Sequence, residues 1–253
     1  RGACDMKGGI ASSIIAVESF ISLYPKYPGS IEFSFTADEE TGGYGGVAFL
    51  AKEGYFSPKK VNSVIIPEPL NKNRICLGHR GVWWAEIETF GRIAHGSMPF
   101  LGDSAIRHMG AVLNEFEEKL YPKLELIKTK MPVVPEGAKT STMNINSIHG
   151  GEAEHPSEFN GYPAPVVADS CKIIIDRRFL IEESIQTVKK DINDLLEDLQ
   201  NSRENFKYKI KDLHEVIPTM TDQNSHLVNH LSNSIKEILG ENPDYVISPG
   251  TYD

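Results

Sequence analysis

The chain has few cysteines and no excess of positive charge. Its 253 residues include three cysteines, Cys4, Cys76 and Cys171, with no CxxC spacing between them. An odd and sparse set argues against a disulfide framework and favours a reducing, cytoplasmic compartment. The formal net charge is −9 at pH 7. This charge disfavours nucleic acid or an anionic membrane surface as a partner and suits a small polar substrate better.

Long apolar runs and terminal signals are also missing from the sequence. We find no run of the roughly 20 apolar residues that spanning a bilayer requires. The first seven residues resemble neither a signal peptide nor a transit peptide. Both ends break off inside turn-like segments, so we expect an internal fragment of a longer, soluble protein.

The first part of the chain alternates between helical and strand patterns. Apolar side chains recur at helical spacing over residues 7–23, where Tyr24-Pro25 stops the run. Residues 31–36 alternate as a strand, residues 47–52 form a short helical pattern, and residues 63–67 are an apolar strand of the buried parallel type. This order predicts an α/β domain.

A second pattern begins near Val82. Strand and helix signals follow in the order βαββαβ, which predicts a ferredoxin-like arrangement over residues 82–213. The predicted elements are strand 83–90, helix 104–120, strands 142–148 and 169–177, helix 183–200 and strand 206–213. A helix over 224–239, capped by Gly240, and a strand from Tyr245 follow it. We therefore predict an α/β domain of residues 1–81 and 214–253, interrupted by an inserted α+β domain of residues 82–213.

Carboxylates follow several of the predicted strands and turns. Asp5 precedes the first helix, Glu39 and Glu40 follow the strand at 31–36, and Glu68 follows the strand at 63–67. Such positions are where an open α/β sheet builds its site. Taken singly, each acid would be a solvated or capping group. Converging carboxylates repel one another unless cations neutralise them, so the set together predicts a site for divalent metal ions.

Five motifs in this order resemble the M20 metallopeptidase family, in particular its acetylornithine deacetylase and succinyl-diaminopimelate desuccinylase branch. They are Arg1-Gly-Ala-Cys-Asp-Met-Lys-Gly-Gly, Thr36-Ala-Asp-Glu-Glu-Thr-Gly-Gly, Pro67-Glu-Pro, His79-Arg-Gly and Ala94-His-Gly-Ser-Met-Pro. The resemblance spans nearly the whole chain. It implies a zinc-hydrolase-type α/β catalytic domain interrupted by a ferredoxin-like lid and dimerisation domain.

The resemblance also implies a metal site and a base. Asp5 would bridge two zinc ions, Glu40 would bind one and Glu68 the other, and Glu39 would be the general acid and base. The peptide bond Asp5-Met6 would be cis. Each zinc would take one further histidine from outside residues 1–253. Cobalt or manganese would suit the same ligand types.

Further residues would act on the substrate. The resemblance gives His95 an oxyanion-stabilising role and gives Arg80 and Arg178 the substrate carboxylate, although Arg177 competes with Arg178. A polar lid residue would be Asn144 or Asn146, which strand alternation places on one face. Gly250-Thr251 matches a substrate loop. Trp83 and Trp84 are interpreted as core and interface aromatics.

The predicted reaction is hydrolysis of the amide bond of a small-molecule N-acyl amino acid. A carboxypeptidase or dipeptidase of the same family would use identical machinery and is the first alternative. A non-catalytic binding relative is the second, against which the retained Glu39 argues. The resemblance further implies a homodimer through the inserted domain, with His95 reaching the active site of the partner.

Overall fold

The computed structural model describes residues 2–37, 39, 43–151 and 165–251. By its internal contacts the chain divides into two compact units. The first unit contains the residues up to Ile75 together with Asp222–Tyr245, and the second contains Cys76–Thr221 and Val246–Thr251. The boundaries predicted from sequence, at 81/82 and 213/214, stay a prediction about domain limits.

The second unit is built on a four-stranded antiparallel sheet, and it confirms the predicted α+β arrangement. Its strands are β2 (Gly81–Phe90), β3 (Thr142–Gly150), β4 (Ser170–Phe179) and β5 (Lys207–Val216), in the spatial order β3-β4-β2-β5. With the helices between them, this is the βαββαβ order predicted from the sequence.

Two long helical segments pack on one face of this sheet. They are α3 (Ala105–Glu115), which continues through a wider turn into α4 (Tyr121–Leu126), and α5 (Ile185–Ser202). Both α3 and α5 begin at a serine whose hydroxyl accepts a hydrogen bond from a backbone N–H of the first turn. Their apolar faces meet alternate residues of the strands in one core. That core includes Trp83, Ile87, Met109, Phe116, Ile173, Ile175, Phe179, Ile192 and Leu196.

A smaller sheet joins three further strands in the order β6-β1-β7. They are β1 (Arg74–His79), β6 (Thr219–Met220) and β7 (Asp244–Ser248). The strand β7 confirms the strand predicted from Tyr245, whereas β1 was not predicted. Just before it, helix α6 (His226–Leu239) ends at Gly240, whose φ of 75° is the left-handed conformation of a glycine C-cap.

In the part of the chain before β1, the two predicted helices form and the two predicted strands do not. Helix α1 covers Gly8–Leu23 and α2 covers Val47–Lys52. Residues 31–36 and 63–66 have no strand structure, so that prediction was wrong. Among the described residues neither segment has a hydrogen-bonded ladder, and Phe35 and Ile65 are about 60% exposed (59% and 60%). An alternating pattern makes a segment suitable for a sheet, but a strand exists only with a paired neighbour.

The segment Ala3–Leu23, which is kinked at Asp5 and Met6, is long and apolar enough to cross a membrane by length and composition alone. Serines interrupt its apolar residues, yet the segment as a whole remains apolar. Ser12, Ser13, Ser19 and Ser22 donate their hydroxyl hydrogens to carbonyls three or four residues earlier in the same helix. A core helix of a soluble protein passes the same test, so this segment alone assigns no membrane.

Candidate active site

The predicted metal-bridging residue, Asp5, lies in a tight turn before helix α1. The turn Ala3–Lys7 is closed by a hydrogen bond of 3.0 Å from the Lys7 N–H to the Gly2 carbonyl. Asp5 itself departs from helical geometry, with φ −113° and ψ 100°, and the Asp5-Met6 peptide bond is cis. The cis bond is the one that the resemblance implies.

The start of helix α1 touches the segment that carries Glu68. A Cβ atom added to Gly9 would lie 2.3 Å from the carbonyl oxygen of Pro67, far inside van der Waals contact. Only glycine fits there, because the clash would be with backbone that cannot swing away. Asp5 precedes Gly9 by four residues and Glu68 directly follows Pro67. The fold of the first unit therefore brings the two carboxylate-bearing segments together.

The loop with the predicted base is described only in part. Glu39 is described and exposed, whereas Glu40 lies outside the described residues. A Cβ on Gly46 would lie 2.2 Å from the Ala37 carbonyl oxygen, so the two ends of this loop are in contact. Within the ranges that the structure describes, no three histidine, cysteine, aspartate or glutamate side chains gather as a metal group.

The second unit gathers several of the predicted substrate residues around Arg80. Arg80 is buried, with 8% of the residue exposed. It donates hydrogen bonds to the carbonyls of Pro249 and Thr140, both at 3.1 Å, and to the Thr142 hydroxyl at 3.4 Å. The Gly250 N–H donates to the Ser248 hydroxyl at 3.1 Å, which shapes the loop leading to Thr251. Arg80 and the predicted substrate loop are thus neighbours, although they are 169 residues apart in sequence.

The positive charge of Arg80, next to that of Arg178, favours the binding of an anionic ligand. Burial lowers the pKa of Arg80, and the nearby charge of Arg178 lowers it further, while Asp176 raises it. A guanidinium nevertheless stays protonated at neutral pH. In the described part of the chain, the ion pairs found do not include Arg80, so its charge is satisfied by carbonyl and hydroxyl oxygens alone.

The two adjacent arginines of β4 occupy different environments. Arg177 is 1% exposed, faces the core, and its Nη2 lies 2.6 Å from Glu183 Oε1. Arg178 lies on the other face, with Nε and Nη2 at 2.6 and 3.0 Å from the two oxygens of Asp176. Only Arg178 therefore lies where a ligand can reach it. The alternation of side chains along β4 could have separated the two arginines, because Arg177 continues the core-facing series of Cys171, Ile173 and Ile175. In the sequence this alternation is hidden by Ile174, which is apolar but lies on the opposite face.

Asn144 and Asn146 lie two residues apart on β3. Asn144 pairs directly with Asp176 across β3 and β4. The register shifts between Ile145 and Ser147, so Asn146 lies in an irregularity of the strand. The irregularity interrupts the regular alternation of β3, but both side chains are exposed, as expected from the one face predicted for them. The two side chains still touch, with Asn144 Nδ2 donating to Asn146 Oδ1 at 2.8 Å.

His95 lies in an exposed loop after β2. Its Nδ1 accepts a hydrogen bond from the Ser97 N–H at 3.2 Å and lies 2.7 Å from the Ser97 hydroxyl. Since Nδ1 is an acceptor, the neutral ring carries its proton on Nε2. An isolated antiparallel β-bridge also joins the backbones of His95 and Val166 and holds this loop. The imidazole is thus prepared to donate a hydrogen bond from Nε2.

Sequence comparison matches residues 1–253 to the model of peptidase family M20/M25/M40. The chain belongs to this family of hydrolases, whose members are generally metal-dependent. It is 26% identical over 261 residues to succinyl-diaminopimelate desuccinylase of Ruthia magnifica and 23% over 257 residues to that of Hydrogenovibrio crunogenus. It covers 62% of each of these relatives. A probable carboxypeptidase of Talaromyces marneffei is 29% identical over 207 residues, which are 81% of this chain and 42% of that protein.

Solved structures show the same fold. A tripeptidase of Staphylococcus aureus superposes with a TM-score of 0.68 at 21% identity, covering 100% of this chain and 58% of that one. Aminopeptidase PepT of Bacillus cereus gives 0.67 at 19% identity over 97% of this chain and 57% of that one. The chain therefore spans about three-fifths of the length of these relatives. The α/β architecture with an inserted lid domain, predicted from sequence, is confirmed.

Proposed function

We propose that this chain carries the catalytic carboxylates of a metal-dependent amidohydrolase that removes the acyl group from an N-acyl amino acid. One observation carries the proposal: the contact of Gly9 with the Pro67 carbonyl, which sets the Asp5 turn beside the Glu68 segment. The backbone segments that follow Asp5 and precede Glu68, which are distant in sequence, are in contact within the first unit, and this contact supports the proposal. The family match over residues 1–253 supports the same reaction class.

The donor set suits divalent metal ions. Carboxylate oxygens of Asp5, Glu40 and Glu68 are ligands that zinc, cobalt and manganese accept, and the fold of the first unit supports the approach of two of them. We propose two zinc ions, which Asp5, Glu40 and Glu68 would help to hold. When bound, such ions polarise an acyl carbonyl and lower the pKa of an attacking water.

The protein's own residues would move the proton. Glu39 would accept it from the attacking water and deliver it to the leaving amine nitrogen, because one carboxylate can act first as base and then as acid. The Nε2–H of His95 would donate a hydrogen bond to the developing oxyanion. Arg80 and Arg178 would hold the substrate carboxylate, aided by Asn144 and by the Gly250-Thr251 loop. The hydrogen bonds of Arg80 to Pro249 and of His95 to Ser97 support these roles.

A peptide substrate is the second candidate, because several solved structures with this fold are peptidases. They are described as a tripeptidase, an aminopeptidase and, at a TM-score of 0.60 and 16% identity, human carnosine dipeptidase 1. Acetyl-, succinyl- and longer acyl-amino acids should be compared with di- and tripeptides in one assay. Faster hydrolysis of the peptides would reassign the substrate class while leaving the chemistry intact.

The neighbouring acids Glu39 and Glu40 give the direct test of the mechanism. In the full-length protein, Glu39→Gln should leave the metal content unchanged and lower kcat by about 10² to 10⁴, the range of a positioned general base. Glu40→Gln should instead lower the metal content, which elemental analysis measures. The reverse behaviour of the two variants would exchange their roles.

We further propose a cytoplasmic homodimer that forms through the second unit and in which His95 completes the partner's site. The exposed edge strands β3 and β5 give a sheet that can pair with a copy of itself. The test mixes a His95→Ala chain with a Glu39→Gln chain and lets the subunits exchange. Activity should return to about a quarter of wild type if each site draws His95 from its partner. No recovery despite verified exchange would place His95 in the site of its own chain.

A further inference from the structure

A row of four paired side chains crosses the sheet of the second unit on the face opposite the helices. Asn144 pairs with Asp176, Asp176 with Trp84, and Trp84 with His214. Directly paired residues of antiparallel strands point to the same face. Their neighbours along the strands, among them Met143, Arg177 and Trp83, face the core.

The two tryptophans of β2 are therefore in different environments. Trp83 is 1% exposed, and its Nε1 donates to Asp212 Oδ1 at 2.7 Å within the packed side of the sheet. Trp84 is 37% exposed on the opposite face. Its ring lies 5.4 Å from that of His214, centroid to centroid, with the planes tilted by 56°. The two rings form an aromatic surface, which we call the Trp84–His214 ledge.

The Trp84–His214 ledge lies one strand away from the guanidinium groups of Arg80 and Arg178, which we call the guanidinium cluster. Arg178 is two residues beyond Asp176 on the same face, so it is a diagonal neighbour of Trp84 at roughly 7–8 Å between backbones. Arg178 pairs with Asp176, whereas Arg80 has no ion pair within 4 Å in the described part of the chain. The cluster keeps one net positive charge for a ligand carboxylate. A group attached close to that carboxylate would reach the ledge.

We propose that the Trp84–His214 ledge receives an aromatic or large aliphatic side chain of the substrate amino acid, whose carboxylate is held at Arg80 and Arg178. This inference rests on the proposed function. Burying such a side chain against the indole is favourable because it removes apolar surface from water. A cationic side chain gains less there, since the nearby Asp176 is already neutralised by Arg178.

The test measures kcat/KM of the metal-loaded full chain for N-acetyl-phenylalanine, N-acetyl-leucine, N-acetyl-alanine and Nα-acetyl-lysine. Wild type should favour phenylalanine and leucine over alanine and lysine. Trp84→Ala should lower the phenylalanine-to-alanine ratio by about tenfold. Trp84→Phe, which keeps a ring, should retain most of the preference. Phe100→Ala is the matched control, because Phe100 is 78% exposed in the same unit but lies outside the sheet.

Binding without turnover separates this inference from the proposed reaction. Calorimetric titration with free phenylalanine and free alanine should show a preference for phenylalanine that Trp84→Ala removes. The same preference without hydrolysis of any acyl amino acid would overturn the reaction and leave the ledge standing. Hydrolysis with an unchanged ratio in a folded Trp84→Ala or Trp84→Leu protein would overturn the ledge. A lysine preference that is lost with Trp84 would show a cation site and would equally overturn the proposal.

Discussion

Arg177 Nη2 lies 2.6 Å from Glu183 Oε1, inside the core of the second unit, whereas the next residue along the strand turns its guanidinium to the opposite face. Glu183 is held further by the Ser141 hydroxyl and by the Leu180 N–H at 2.8 Å. Burial lowers the pKa of Arg177, while the charge of Glu183 raises it. This buried pair ties the end of β4 to the turn before α5.

Arg177→Met should therefore destabilise the protein by about 3 kcal/mol, because it leaves Glu183 buried without its cation. Arg178→Met is the matched control, since its pair with Asp176 is partly exposed and contributes about 1 kcal/mol or less. It should instead raise KM by roughly tenfold through the loss of a charge-assisted hydrogen bond. Urea unfolding and steady-state kinetics of both variants check this. Equal losses of stability would contradict the separation of the two arginines.

Gly9→Ala should destabilise the first unit by about 1–3 kcal/mol, because the new methyl group meets the Pro67 carbonyl. It should also lower metal content by moving Glu68 away from Asp5. Gly110→Ala is the control: Gly110 lies within helix α3 and nothing lies within 4 Å of its added Cβ. That change should stabilise the protein by up to about 1 kcal/mol. A Gly9→Ala protein with normal metal content would contradict the proposed convergence.

Asp212 should contribute a pH-dependent part of the stability. Partial burial raises the pKa of Asp212, but hydrogen bonds from Lys189 and from the Trp83 indole outweigh it, so the pKa is lowered overall. A lowered carboxyl pKa stabilises the fold above the unfolded value of about 3.9 and loses that effect as the pH falls through the folded value. Asp212→Asn should therefore show a smaller drop in urea midpoint between pH 6 and pH 3 than wild type.

The control for this measurement is Glu136→Gln, which removes the same charge from the exposed ion pair with Lys139. An exposed pair of this kind contributes little to stability. If Asp212→Asn and wild type lost stability to the same extent on acidification, the hydrogen bonds that Lys189 and Trp83 donate to Asp212 would not contribute to stability.

Local sequence predicted the elements of the second unit well. The strands β2, β4 and β5 begin and end within a few residues of their predicted bounds, because their residue pattern is a local signal. The helices α3 and α5 begin at serine N-caps, which are also local signals. The strand β1 was missed, since Arg74–His79 alternates only weakly and is recognised as a strand by its pairing with β6. The segment at 31–36 shows the opposite case, in which a clear alternating pattern has no paired strand among the residues that the structure describes.

By itself, the sequence determined the family, the order of helices and strands in the inserted domain, and the set of carboxylates and arginines that could carry chemistry. These follow from residue types at fixed spacing along one chain. Only the tertiary structure decided that Arg178 and not Arg177 can reach a ligand, that Arg80 meets the Pro249 carbonyl, and that Trp84 leaves the core while Trp83 enters it. The reason is physical: burial, pairing register and strand irregularities are set by contacts between residues far apart in sequence, which no local pattern contains.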